Sequence, residues 1–470
     1  MQIFRIDDIK LLIYHNLDEY GIRLFENAVQ LSDGTREISA VVIGFGKYGQ
    51  EVTKALFWYC QVPGYRVKIT VLDESETAES EFRAMCPEIR IGENVNGAND
   101  MRYTIHFRKA TFGMNDFYSE LEKIGTISYA FVCLGDDSRN IAAATGIKER
   151  MAQQKKPLSI ETILYEPCLK QCLAGNIRAF GDLQSFYSED AVIEKNLINE
   201  GLDVHLRWSD DENDPNEKIV YHMKDYNYYS SLASALHRRL RREIKNHPNI
   251  FPFFENDPLA KELLPRLNDN AQIKKLSDEM KRFSNCLYVR TTYHKYMQLL
   301  PEERKNVLDR LKEKIGMEPS DIPMYADKHE YLAGYEECLK KLRFNDNSTE
   351  DTVKRLNKFR DCMIERLTEN ETDALVKREI ALSFEWNTLS EQIQSDIFDY
   401  ITEKLGLSYD QIMQHLRKAR LFADIEHIRW NAYVRSEGFR LSVKTDKPNK
   451  LHFDLVPSDG LTVADCIKDI

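Results

Sequence analysis

Residues 38–60, ISAVVIGFGKYGQEVTKALFWYC, decide how the N-terminal part of this chain folds. The segment opens as a short apolar strand, turns through Gly44, Phe45, Gly46, Lys47, Tyr48 and Gly49, and continues with helical spacing. The spacing is GxGxxG between a strand and a helix, the context in which each glycine has a task. Gly44 permits the tight turn, Gly46 lets a pyrophosphate approach the backbone, and Gly49 lets the helix pack closely on the sheet. The first turn of the helix presents unpaired N–H groups, so the loop suits a nucleotide phosphate.

Two further strands extend the pattern. YRVKITVLD ends at Asp73, 24 residues after Gly49 and near the usual offset of about 20 for an acid that bonds a ribose hydroxyl. Glu74 can share that role. An acid here repels a 2′-phosphate, which favours NAD(H) or an adenine nucleotide such as ATP or ADP over NADP(H). In ISYAFVCLGDDSRNIAAATGIKERM the strand is expected to end near Leu134, with Asp137 or Ser138 capping the next helix. Gly135, Asp136, Asp137 and Asn140 then stand at the carboxyl end of a strand, where open parallel sheets bind ligands. The same residues also serve as ordinary turn and cap residues.

Together, GFGKYG, the acid after the second strand and LGDDSRN before an alanine-rich helix resemble the TrkA-N (RCK) type of Rossmann domain, over about residues 38–190. The resemblance implies a parallel α/β sheet that binds NAD(H) or adenine nucleotides as regulators, usually of potassium transport. Catalysis is not implied, and no acid or base stands out beside the loop. His106 in YTIHF and His205 in DVHLRW read equally as packed histidines.

The whole chain fits such a reading. Its 470 residues, 42% hydrophobic, are enough for two or three domains. A net charge of −11 opposes general nucleic-acid binding. The start, MQIFRIDDIK, is charged early and unlike a secretory signal, and the apolar runs are shorter than the ~20 residues of a membrane helix. A soluble, cytoplasmic protein without a transmembrane segment is therefore expected, with a homodimer or a membrane transporter partner left open. The nine cysteines include no CxxC pair. Cys168 and Cys172 share a helical turn but lack further zinc ligands nearby, so no metal site is expected.

The expected organisation is a helical segment over 1–37, the Rossmann domain over 38–208, a helical middle region over 219–378 and a C-terminal domain over 385–470. Acidic SDDENDPNEK at 209–218 marks the first boundary, and NDNSTED near 345 a loop between amphipathic helices such as 277–300. In DYNYYSSLASALHRRLRREIKNH, Ser230 or Ser231 is expected to cap a helix. Its Arg238, Arg239, Arg241 and Arg242, with Tyr226, Tyr228, Tyr229 and His237, either bind a phosphate and a base or form a solvated face paired with acids.

The C-terminal stretch FADIEHIRWNAYVRSEGFRLSVKTDKPNKLHFDLVPSDGL spans residues 422–461. Ala423, His427, Trp430 and Val434 share one helical face, Gly438 suits a left-handed helix end, and the chain returns at His452 before Leu455-Val456-Pro457. These spacings resemble the RyR repeat domain, named from ryanodine receptors and also found in bacterial and phage proteins. Gly438-Phe439 stands where that family commonly has Gly-Trp, so an indole N–H is absent. Trp430, Tyr433 and Phe439 are candidates for a stacking wall, Arg429 or Arg435 for a phosphate contact, and His427 or His452 for a base or sugar contact. Arg440, Lys444, Lys447 and Lys450 stud the excursion. The alternative is that Trp430, His427 and His452 form a core that ties helix to loop.

The two resemblances together imply a ligand-sensing regulator or effector that reads NAD(H) or an adenine nucleotide in one domain and a nucleotide-derived signal in the other. An NAD-dependent oxidoreductase, an NAD-consuming enzyme controlled by the RyR domain, and a regulatory subunit of potassium transport are the alternatives.

Overall fold

The computed structural model describes residues 7–92, 95–96, 101–153, 157–181, 196–208, 225–250, 367–383, 406–442 and 445–461, with isolated positions between them. Apart from such positions, the expected loops at 209–218 and 345–351 and the helix at 277–300 lie outside the described residues, as does Lys444. Two compact units partition the chain. The first gathers residues 1–270, 421–440 and 455–459, and the second residues 271–420, 441–454 and 460–470.

The first unit is built on a parallel sheet. Its strands are β1 (Val29–Gln30), β2 (Arg36–Ile43), β3 (Tyr65–Asp73), β4 (Val95–Asn96), β5 (Arg102–Lys109), β6 (Tyr129–Val132), β7 (Ser159–Ile163) and β8 (Ile177–Phe180). The spatial order is β4-β5-β3-β2-β6-β7-β8, with β1 antiparallel to the start of β2 and β4 antiparallel to β5. The six strands from β5 to β8 are mutually parallel. They follow the doubly wound order, in which the chain runs outward from β2 in one direction and then restarts beside it at β6. Ile38 to Ile43 are buried without interruption because parallel strands between helical layers bury both faces.

Helices complete the layers: α1 (Asp8–Tyr20), α2 (Ile22–Glu26), α3 (Lys47–Tyr59), α4 (Ala78–Met85), α5 (Asn115–Ile124), α6 (Asp137–Arg150), α7 (Asn196–Trp208) and α8 (Asp225–Asn246). One core joins Val41, Ile43 and Val132 of the sheet to Phe117 and Leu121 of α5 and Ala143 and Ile147 of α6. The alanines let α6 approach the strands closely, which is why an alanine-rich helix follows β6. Another core is aromatic: Trp58 of α3 meets Tyr14 of α1 and Tyr433 edge to face.

That last contact shows why the units cut across the expected boundaries. The long helix α10 (Tyr409–Ser436) contributes its part from residue 421 onward to the sheet unit, so residues 385–470 are not one body. Arg435 pairs with Glu88, the Cys86 thiol donates to the Ser436 carbonyl, and Lys10 pairs with Glu437. The segment 1–37 and helix α8 likewise belong to the sheet unit. Helix α8 begins at Asp225, ahead of the expected Ser230 or Ser231 cap, and takes in Tyr228 and Tyr229. The Tyr229 hydroxyl accepts the Asp7 N–H at 2.5 Å and so holds this first turn against the start of α1.

The second unit, so far as it is described, contains α9 (Ala374–Leu382) and buries Leu389, Phe398 and Ile412. It also holds a small hairpin-like return, in which Ser442 N–H donates to the His452 carbonyl and Asp446 bridges to Leu451. No described helix is long and apolar enough to cross a membrane.

Candidate functional site

The carboxyl ends of β2 and β6 lie side by side where the strand order reverses, and both loops singled out in the sequence emerge there. The first is set by its glycines. Gly44 has φ +93°, and a Cβ on it would stand 2.3 Å from the Cys133 carbonyl oxygen. Gly49 is tighter, since its Cβ would meet the Gly44 oxygen at 1.9 Å. Gly46 differs from both: a Cβ there would meet nothing within 4 Å, the residue is exposed, and it begins α3 without any side-chain cap. Open space thus adjoins an uncapped helix N-terminus, where backbone donors favour an anion.

The other loop residues divide. Lys47 is exposed and Tyr48 half-buried, with the Tyr48 ring edge to face against Tyr165 at 6.0 Å. Burial, then Tyr165, pushes the Tyr48 hydroxyl above its ordinary pKa, so it remains a neutral donor. Phe45 points into the core, packed on Phe107 and Phe82, and cannot serve as a ligand wall.

Asp73 closes the loop. One carboxylate oxygen, Oδ2, accepts the Phe45 N–H at 2.6 Å, and Oδ1 accepts the Ser75 N–H at 2.7 Å. Each oxygen retains a second lone pair, so the carboxylate can still accept a ribose hydroxyl. Glu74 is more exposed and is paired with Arg139 at 3.3 Å.

The β6 loop is mainly scaffolding. Asp136, not Asp137 or Ser138, caps α6, accepting the Arg139 N–H at 2.8 Å. The cap falls earlier than expected because β6 ends at Val132. Asp137 is thereby released to accept the N–H groups of Tyr165 and Glu166, each at 2.9 Å. Asn140 is fully buried, accepting the Leu134 N–H at 2.7 Å and donating to the Ile163 carbonyl at 3.0 Å. Gly135 has φ +80° with open space at its Cβ position. Gly46, Lys47, Tyr48, Asp73, Glu74 and Gly135 are therefore exposed or half-buried at these strand ends, whereas Asp136, Asp137 and Asn140 are engaged in holding the loops. Tyr165, two residues past the end of β7, belongs to the same rim. The strand-end rule that selected Asp136 would also have selected it.

Neither histidine raised from the sequence lies at this rim in a catalytic arrangement. His106 sits within β5, with burial and then Lys68 lowering its pKa, and His205 is buried in α7 against the Tyr221 ring.

The C-terminal candidates in the sheet unit are packed inward. His427 stacks on Trp430 at 5.5 Å, and its Nε2 lies 2.8 Å from the Val456 carbonyl, which also accepts from Asn431. Tyr433 is 1% exposed and touches Trp58. Arg435 donates to the Leu455 carbonyl at 2.9 Å, and Phe439 packs on Tyr226. Each of these side chains has a protein partner that occupies it, as the core alternative expects. Arg440 is exposed. His452 belongs to the second unit, where its Nδ1 accepts the Asp454 N–H at 3.2 Å.

The arginines of α8 separate by face. Arg239 pairs with Asp18 and Glu200, and Arg242 with Glu200, which is the solvated pairing of the second expectation. Arg241 turns inward to Glu426.

No family model, curated protein or solved structure matches the chain.

Proposed function

We propose that the protein is a ligand-sensing regulator that binds NAD(H) or an adenine nucleotide, such as ATP or ADP, at the crevice between the β2 and β6 loops. The observation that carries this reading is the space at Gly46, beside the uncapped start of α3, at the reversal point of a doubly wound sheet. A diphosphate would lie on the N–H groups of the first turn of α3, with Lys47 at its edge. Asp73 and Glu74 favour a ribose with a free 2′-hydroxyl. The Tyr48 and Tyr165 rings offer an amphipathic wall on the other side of the turn. The bound nucleotide would shift a conformational equilibrium in proportion to its preference for one state.

In this proposal the RyR-like segment carries a second, nucleotide-derived signal. Its support is the spaced sequence signature, with the exposed Arg440 as a cationic candidate. Calorimetry of the full chain with NAD, NADH, ATP and ADP tests the first site directly. Saturable binding that Gly46→Val abolishes supports it, and absence of heat with all four at millimolar concentration overturns it. Following NAD by chromatography and absorbance in the same samples separates sensing from turnover, since a regulator leaves the nucleotide intact.

A further inference from the structure

Helix α8 and the first-unit part of α10 enclose a group of charges that do not balance. His237 and Arg241, four residues apart, share one face of α8, and Glu426 and Arg429, three apart, share one face of α10. All four are at most 5% exposed. The Glu426 carboxylate is engaged through both oxygens: Oε1 accepts from Arg429 at 2.5 Å and from Ser234 at 2.8 Å, and Oε2 accepts from Arg241 at 3.2 Å. Beyond these bonds, Arg241 Nε and Arg429 Nε and Nη1 are buried without a hydrogen-bond partner among the described residues, while the buried His237 ring donates through one nitrogen to the Gln61 backbone and leaves the other as an acceptor. Two guanidiniums face one carboxylate, and the half-buried Arg238 adds its field from the edge. A buried guanidinium without a counter-charge is strongly unfavourable, and buried N–H donors are normally satisfied.

We infer that this cluster is a binding site for inorganic phosphate, held as its monoanion between Arg241, Arg429 and His237. The charge fits, because one negative charge completes the count of two guanidiniums and Glu426. The donors fit, because guanidinium edges bond oxyanions in a planar fork. The neutral His237 ring selects the ion. One of its nitrogens is an acceptor and needs a donor, which the P–OH of monoanionic phosphate supplies and sulfate lacks. Every group that would hold the ion is at most 5% exposed, so the occupant inferred is the small free ion. The site is separate from the glycine loop and does not rest on nucleotide binding there.

Equilibrium dialysis of the full chain against radiolabelled orthophosphate, with equimolar sulfate present, tests the inference. Wild-type protein and Gly46→Asp are each expected to hold one phosphate per chain that sulfate does not displace. Arg241→Gln leaves Glu426 and Arg429 balanced one to one and should weaken binding by about tenfold or more. Should that variant fail to fold, His237→Phe provides the second reading, since it removes the acceptor and should let sulfate compete equally. The inference is overturned if the wild type binds no phosphate at millimolar concentration or if sulfate competes equally with it. Loss of the bound ion in Gly46→Asp, with retention in both α8 variants, overturns it too.

Discussion

The main-chain N–H of Phe45 donates to Oδ2 of Asp73 at 2.6 Å, tying the glycine loop of β2 to the end of β3. The acid that would read a ribose in the proposed function is therefore also the clamp that shapes the glycine loop. Ligand affinity and local stability should consequently fall together when it is altered.

Asp73→Asn leaves one carbonyl oxygen for two N–H groups that now have an oxygen each. We expect a loss of about 1–3 kcal/mol in urea unfolding, together with weakened nucleotide binding by calorimetry. Glu74→Gln removes only an exposed pairing with Arg139 and should alter stability by less than about 1 kcal/mol. A stability loss for Glu74→Gln equal to that of Asp73→Asn would show that the clamp has been assigned to the wrong acid.

The three glycines should fail in different ways. Gly46→Asp places a side chain in open space, so the fold should stand within about 0.5 kcal/mol while nucleotide binding is lost through charge and bulk. Gly49→Ala drives a methyl into the Gly44 carbonyl and should cost about 3 kcal/mol or more, since backbone must shift. Paired urea titrations and calorimetry distinguish the two outcomes. Equal destabilisation would contradict the division between a ligand-facing and a packing glycine.

Asn140 supports a third prediction. Replacing it by Leu strands the Leu134 N–H and the Ile163 carbonyl in the interior, at a cost of about 2–4 kcal/mol in unfolding free energy. Any nucleotide affinity should fall only through this loss of wall geometry. A variant as stable as wild type but unable to bind would instead place Asn140 in contact with the ligand.

These residues also show how far the sequence could be read. The glycine loop and Asp73 were legible because their roles are local: turn conformation, helix start and strand end are all set within a few residues. The cap of α6 falls on Asp136, where the sequence suggests Asp137 or Ser138, because it depends on where β6 stops, and Asp137 is claimed by the backbone after β7, 28 residues away. Nor could composition separate Arg241 from Arg239 on α8. Which arginine turns inward is decided by Glu426, 185 residues further along the chain. The one-turn spacing of His427 and Trp430 predicted a shared face but left its partner open, and that partner is the Val456 carbonyl.

For Trp430 the packing reading has a direct test. It is 5% exposed and stacked on His427, so Trp430→Ala should cost about 3–5 kcal/mol, and His427→Ala should also destabilise by removing both the stack and the bond to Val456. Trp430→Phe keeps an aromatic in place and should recover most of the loss. Thermal unfolding of the three variants checks this order. Three unfolding midpoints equal to wild type would show that the pair does not support the core.

The buried cluster also fixes the acid response in phosphate-free buffer. Burial, followed by Arg241, holds the His237 pKa well below its ordinary 6.5, so the folded protein keeps the ring neutral where the unfolded chain takes up a proton. Its contribution is fully present above about pH 6.5 and is lost as pH falls, by up to about 1.4 kcal/mol per pH unit. Glu426 acts in a lower window. Burial pushes its carboxyl up, but Arg429, Arg241 and Arg238 outweigh burial and hold it down to about 2, from an ordinary 4.5. Stability from Glu426 is therefore present above about pH 4.5 and disappears as pH falls toward about 2. Urea unfolding from about pH 7.5 down to about pH 3 should show two successive slopes. His237→Phe should flatten the upper slope and Glu426→Gln the lower. An unchanged upper slope in His237→Phe would mean that another group takes up the proton.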